Sequence, residues 1–478
     1  MKQEAGSQAA AFRQLPGVWG TITRVMLCAI PVIGILYILD VAGYLRISFF
    51  SEQYFGLMFA LSFATGFLIF PATKAASENK LPWYDIAFAI LSLVAGGYIL
   101  VFYPRIVFTL GIIRPERVIL GAIMVLSAIE LVRRLYGWPL VFLGIIIILY
   151  GRFTYLVPGP LGGSGIDWER LVISLYLHPS AILGFPARVI FTIVLAFIFF
   201  GQAMFITGGG QSINNLALAA MGKYRGGPAK VAVVGSSMFG TLSGSPTANV
   251  LTTGQVTIPL MKEIGYKPTV AAAIEAVAST GGAIMPPVMG ATAFLLAEFL
   301  EIPYTAVVIA ALIPGILYYL AVFIQVDLEA AKNGIKGLAP QQLPSVVGAL
   351  RAGWVYILPV AVLIFFLFVI SLSPAKAALY SAASFFAVGA FRKETRLTPR
   401  KLLACLQNSG WITLQIGIII SIAGILIGVV GLTGAGINLS QVLVATSGGN
   451  VLLLLMLTAA ASTLLGMGMP VTATYVAL

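Results

Sequence analysis

The sequence predicts an all-α polytopic membrane protein organised around an inverted repeat with two re-entrant hairpins. Three observations predict this. Of 478 residues, 59% are hydrophobic and only 9% charged, with a mean hydropathy of +1.01; a soluble surface of this length needs far more charge. Apolar stretches of about 20 residues, enough to cross a bilayer, recur along nearly the whole chain, whereas a membrane β-barrel would show short alternating segments. Finally, two helix-breaking, hydroxyl-rich motifs recur in the same order at nearly one offset.

Taken in chain order, the crossings before the C-terminal region fall near 25–45, 53–72, 85–103, 118–132, 138–151, 188–207, 269–300, 303–326, 354–372, 375–391 and 411–435. The first follows a polar, mildly basic N-terminus and runs straight into another span, so it reads as a transmembrane helix and not as a cleaved signal. The 138–151 segment is short and is expected to tilt or borrow flanking residues. After it comes "RFTYLVPGPLGGSGIDWERLVISLYLHPSAILGFP", a Gly- and Pro-punctuated amphipathic connection with an interfacial helix expected around Trp168–Leu177. The organisation is therefore an N-terminal helical unit (1–151), the connection (152–187), a first repeat (188–330) with a hairpin at 231–259, linker and scaffold helices (331–410), and a second repeat (411–478).

The net charge of +12 does not point to nucleic acid. The basic residues sit in short clusters between apolar segments, as cytoplasmic loops require. Arg13/Arg24, Lys74/Lys80, Arg133/Arg134, Lys223/Arg225/Lys230, Lys262/Lys267 and the group from Arg392 to Lys401 fall on one side if the N-terminus is cytoplasmic. Arg105, Arg114 and Arg117 run against that pattern. Cys28 and Cys405, the only cysteines, give neither a disulfide framework nor a zinc spacing.

The repeat is carried by two pairs of segments. "FITGGGQSINNLA" (205–217) is similar to "GLTGAGINLSQVL" (431–443), and "GTLSGSPTANV" (240–250) to "STLLGMGMPVTATYV" (462–476). Thr207 pairs with Thr433, and Pro246 with Pro470. An odd number of crossings separates corresponding points, which inverts the second copy. Inverted repeats with Gly/Pro-interrupted hydrophobic segments at matching positions mark secondary transporters.

In the first copy the chain enters as Val231–Gly240, breaks at Leu242–Thr247 and returns near Thr252–Pro259, each arm about half a span at ~1.5 Å per residue. Irregular backbone at mid-bilayer survives only where protein or a polar cavity covers it. There its carbonyls and hydroxyls offer hard oxygen ligands, and half-helix N-termini offer N–H groups to an anion. The second tip is expected at Gly466–Thr474, and a third interruption at Ser279–Gly282 with Pro286–Pro287. The sequence ends at Leu478, soon after the second tip, so copy two reads as C-terminally incomplete.

These residues resemble a known family. "SGSPTANVLTTGQVTIPLMKEIGYKP", "EAVASTGGAIMPPVMGA" and "GMGMPVTATYV" are similar to the DctM-like large membrane subunit of tripartite ATP-independent periplasmic (TRAP) transporters. "ERLVISLYLHPSAILGFP" and the long N-terminal unit resemble fused small-plus-large-subunit permeases that work with TAXI-type binding proteins. The resemblance implies an elevator-type secondary transporter, multi-pass in the bacterial inner membrane. A periplasmic TAXI-type binding protein would deliver a carboxylate-bearing metabolite, and symport with sodium, or alternatively a proton, would drive uptake. No other cofactor is implied. Carried onto this sequence, the first tip is Ser243, Gly244, Ser245, Pro246 and Thr247 with Asn249, and the second Gly466, Gly468, Met469 and Pro470 with Thr472 and Thr474. The broken helix contributes Ser279, Thr280, Gly281 and Gly282, and sodium is expected at the tips around Ser245 and Gly468.

Each residue also has a plainer reading. Small polar side chains at the tips can serve helix packing alone. Glu275 lies inside a span, where an acid is expensive and functional by default; it binds the cation, exchanges a proton, or bridges to a basic residue. Glu130 precedes Arg133 and Arg134 by three and four residues and reads as a local ion pair. His178, the sole histidine, falls in the connection and reads as solvated, as do Asp40 and Glu298 near the interfaces. The glycines at 208–210 read as a helix terminus. An enzyme is excluded: no base accompanies a candidate serine, and neither HExxH nor GxxxxGK[ST] occurs. A channel lined by polar broken helices is the nearer alternative.

Overall fold

The computed structural model describes residues 13, 15–73, 81–159, 162–244, 246–339, 341, 343–390, 397–435, 450–466 and 475. These form helices and no strand. In order the helices are α1 (Gly17–Ile38), α2 (Ser51–Ile69), α3 (Trp83–Ile106), α4 (Pro115–Tyr136), α5 (Trp138–Phe153) and α6 (Trp168–Leu177). Then follow α7 (Phe185–Ile206), α8 (Gly209–Met221), α9 (Gly227–Ser243), α10 (Pro246–Glu263), α11 (Pro268–Thr280), α12 (Ala291–Phe299) and α13 (Tyr304–Lys332). The last are α14 (Val346–Gly353), α15 (Ile357–Ile364), α16 (Pro374–Ala390), α17 (Pro399–Thr433) and α18 (Val451–Gly466).

Seven helices among the described residues are long and apolar enough to cross a membrane: α1, α2, α3, α5 with its extension to Leu156, α7, α13 and α17. The expected crossing at 118–132 is α4, whose ends carry Glu116, Arg117, Glu130, Arg133 and Arg134 and so dilute its hydropathy. The expected 354–372 span is α15 continued by a π-turn at Phe365–Val369. The helix expected around Trp168–Leu177 is present with those bounds, and its sequence is amphipathic.

The chain divides into two compact units, Met1–Thr192 with Gln407–Leu478, and Ile193–Leu406. In the first, α2 is buried on nearly all sides, as expected of a helix apolar all round. Tyr54, Phe55, Phe59, Phe63 and Phe67 fill its surroundings. α3 packs closely on it because Gly96 faces Gly56 and Ala60; a Cβ there would stand 2.4 Å from the Gly56 carbonyl oxygen. The end of α2 is held by arginines. Arg13 donates to the Phe67 carbonyl (3.3 Å), Arg134 to that of Phe70 (2.9 Å) and Arg133 to that of Ala72 (3.0 Å), satisfying carbonyls that a helix terminus leaves open. Two of these cations flank Asp85, with Arg13 at 2.6 Å and Arg134 at 2.7 Å, all three side chains buried. Glu130 pairs with Arg133 and Arg134, each at 2.7 Å, as its spacing predicts.

The second unit is built on α9, α10, α11 and α13, whose Ala232, Val233, Met261, Ile274, Ala278, Tyr319 and Val322 share one core. The hairpin breaks where expected, at Gly244, but its arms are longer than the half-spans expected from 231–240 and 252–259. They run 17 and 18 residues. The cause is local. The Thr241 hydroxyl donates to the Ser237 carbonyl (2.7 Å), and those of Thr253 and Thr257 stand within hydrogen-bond distance of the Asn249 (2.9 Å) and Thr253 (3.0 Å) carbonyls as one of the acceptors open to each. Each hydroxyl thus finds an acceptor on its own helix, so the polar side chains are satisfied without the helix ending there.

The opening residues of the first repeated pair, 205–208 and 431–434, adopt one local geometry. Thr207 donates to the Ala203 carbonyl and Thr433 to that of Val429, both at 2.8 Å. Each is followed by a left-handed glycine, Gly208 (φ +86°) and Gly434 (φ +68°). This is how a helix ends on a glycine.

Candidate functional site

The site is assembled from the first hairpin and the helix that follows it. Gly244 closes α9 at φ +59°, its N–H donating to the Gly240 carbonyl at 2.9 Å. Pro246 opens α10, where a missing N–H costs nothing. α11 runs from Pro268 to Thr280, loosens into a 3-10 turn at Gly281–Ala283, and resumes as α12 only at Ala291.

The hairpin and this interruption are stitched backbone to backbone. The Val288 N–H donates to the Thr241 carbonyl at 3.2 Å. A Cβ on Gly244 would lie 1.7 Å from the Met289 carbonyl oxygen, and one on Gly240 would lie 2.3 Å from Gly282 Cα. Only glycine permits such approach. Gly282→Ala is therefore expected to destabilise the packing by about 1–3 kcal/mol or more; a thermal melt of the detergent-solubilised protein unchanged from wild type would contradict the contact.

Asn249, fully buried, ties three helices together. Its amide nitrogen donates to the Ser236 carbonyl on α9 (2.9 Å) and the Ser279 carbonyl on α11 (3.5 Å). Tyr319 on α13 reaches the Ala278 carbonyl (3.0 Å), and Tyr318 that of Val277 (2.7 Å). The carbonyls that end α11 are thus capped by side chains.

One turn away lies the strongest chemical feature. Glu275 is 1% exposed. Its Oε1 accepts from Thr253, Ser279 (3.2 Å) and Ser236 (3.4 Å), and its Oε2 accepts from Thr257. Ser236 also stands 3.2 Å from the Thr253 hydroxyl and 3.4 Å from that of Ser279. Gly254 leaves room for the acid, since a Cβ there would meet Glu275 Cγ at 3.1 Å. Among the described residues no basic side chain pairs with Glu275, so the bridge to a cation is not formed. The result is a buried all-oxygen cluster, the donor type that hard cations and protons take.

The Thr257 hydroxyl has one hydrogen and two acceptors, Glu275 Oε2 and the Thr253 carbonyl oxygen at 3.0 Å. It donates to a carboxylate; turned to the carbonyl, it accepts from a protonated carboxyl. The cluster is thus satisfied in either protonation state.

The structure therefore brings Asn249, Glu275, Ser279, Gly281 and Gly282 together. Thr280 faces outward, its hydroxyl turned back onto the Ala276 carbonyl at 2.8 Å. Ser243, Pro246 and Thr247 flank the turn, Gly466 ends α18, and Ser245, Gly468, Met469, Pro470, Thr472 and Thr474 lie outside the described residues. Ser236, Thr253 and Thr257 escaped the reading of the sequence. A legible signal existed: Asn249, Thr253 and Thr257 recur every fourth residue, one stripe of a helix.

Comparison with known proteins agrees with this architecture. A family model described as the DctM component of the tripartite ATP-independent periplasmic transporter matches residues 123–478. The isethionate TRAP transporter permease protein DctMQ of Oleidesulfovibrio alaskensis is 30% identical over 233 residues, 45% of this chain and 35% of the relative. The C4-dicarboxylate TRAP transporter large permease protein DctM of Vibrio cholerae is 28% identical over 190 residues, 38% of this chain and 41% of the relative. The sialic acid TRAP transporter permease protein SiaT of Haemophilus influenzae is 26% identical over 223 residues, 47% and 34% respectively. The chain spans less than half the length of each of these relatives.

Proposed function

The chain belongs to the DctM component family of tripartite ATP-independent periplasmic transporters, and from that membership we propose that it carries a carboxylate-bearing metabolite inward, driven by an ion gradient. It is a multi-pass inner-membrane permease and not an enzyme. A periplasmic binding protein, of the TAXI type by the resemblance of the N-terminal unit, hands over the substrate. The hairpin-bearing helices then alternate access in an elevator motion.

The buried Glu275 cluster carries this reading, because an intramembrane acid ringed by hydroxyls has the chemistry of a coupling-ion site. Sodium is the first choice, with further sites at the tips around Ser245 and Gly468. A proton on Glu275 is the second, favoured by the two acceptors of the Thr257 hydroxyl. In either case the ordered tip presents the N-terminus of α10, opened by Pro246, to the substrate carboxylate.

Uptake by the full-length permease and its binding protein in liposomes, under separately imposed sodium and proton gradients, tests the reading. The expected outcome is accumulation against the substrate gradient that collapses when the driving ion is equalised. Passive equilibration without accumulation would indicate a channel instead.

A further inference from the structure

A second feature lies outside the ion cluster, within the unit Ile193–Leu406. A cavity of about 330 Å³ opens between α8, α9 and the α14–α15 segment. Met204, Ile213, Leu216, Met238, Leu242 and Met285 are part of its apolar wall. Its hydroxyls are already committed inside the protein. Ser212 donates to the Gly208 carbonyl (3.2 Å), Ser237 to Val234 (2.8 Å), Thr241 to Ser237 (2.7 Å) and Tyr356 to Thr207 (2.5 Å). None of the described residues that line it is charged. Water needs two to four polar partners to settle in a cavity, and this one offers no spare donor hydrogen. Methionines, unbranched and adaptable, suit a flexible apolar guest.

The mouth shows where the guest comes from. Leu350, Trp354 and Ile357 stand at its rim and are 46%, 63% and 63% exposed. On a membrane-spanning chain an exposed apolar surface of this kind is one that lipid can cover, which would make the cavity continuous with the protein–lipid boundary.

We propose that this cavity holds an acyl chain of a bilayer phospholipid, lodged against the last two turns of α9 beside the hairpin break. The proposal rests on membrane insertion and not on the transport reading, so either can fail without the other.

The test is photolabelling of the full chain in nanodiscs whose phospholipid carries a diazirine within one acyl chain, followed by peptide mapping. Labels are expected on 204–216 and 237–242, in addition to lipid-facing positions such as Ile313 on α13. Ile213→Phe and Leu216→Trp, each checked for a monodisperse folded state, should lose the cavity labels and keep those around Ile313. Labels confined to exposed faces in the wild-type protein would overturn the proposal, whatever the variants do. A parallel arm with photoactivatable free fatty acid in unlabelled lipid distinguishes the source. Cavity labelling by the fatty acid alone, with none from phospholipid, would also overturn it.

Discussion

Replacing Glu275 with alanine is expected to abolish ion-driven uptake in proteoliposomes while the protein still inserts. The change removes the acceptor of four buried hydroxyls. Hydrogen bonds to a charged group contribute about 1.5–3 kcal/mol each, and losing one ion contact of that size from the site would weaken ion binding by roughly tenfold to a hundredfold. Glu275→Gln separates the two coupling readings. The amide keeps the shape and one carbonyl oxygen but neither ionises nor takes up a proton at working pH. If a proton is the coupled ion, uptake by this variant loses its response to an imposed pH gradient altogether. If sodium is coupled, the response to sodium persists at a higher half-saturating concentration. Uptake with wild-type ion dependence in both variants would remove Glu275 from the coupling site.

The second large effect is expected far from this cluster in sequence. Asp85→Ala leaves the Arg13 and Arg134 guanidinium groups buried without their shared carboxylate. Removing one partner from a buried ion pair typically costs about 3–5 kcal/mol, because the remaining charge is uncompensated. The unit formed by Met1–Thr192 and Gln407–Leu478 should then melt early. A lower thermal midpoint of the solubilised protein, or a loss of folded yield, is the readout. Adding Arg13→Ala to Asp85→Ala should recover part of the loss, since one stranded cation is then gone, and a double-mutant cycle measures that coupling. If the losses of Asp85→Ala and Arg13→Ala simply add in the double variant, the pair is not coupled.

Much of the fold was legible because its signals are local. Apolar length located the spans, Gly208 and Gly244 marked where helices stop, and the amphipathic pattern located Trp168–Leu177. What escaped depends on contacts between distant segments. Hairpin arms looked short because Ser and Thr were read as helix breakers, although their hydroxyls find acceptors on the preceding turn and the helix runs through them. Glu275 stood out as an isolated acid, but its partners Ser236, Thr253 and Thr257 look like ordinary packing residues until α9, α10 and α11 are brought together. Asp85 passed unnoticed for a related reason. It sits in the first turn of a helix, where acids are common, and only the fold reveals the two arginines around it.

The contact of Gly240 with Gly282 has a mechanical consequence. Side chains between two elements act as cushions: they change rotamer and absorb shear. Here bare main chain meets bare main chain, with no cushion to deform, and a further strut is added by Val288 on Thr241. A load applied to the hairpin is therefore passed whole to the interrupted helix, and any stroke the hairpin makes is a stroke of both.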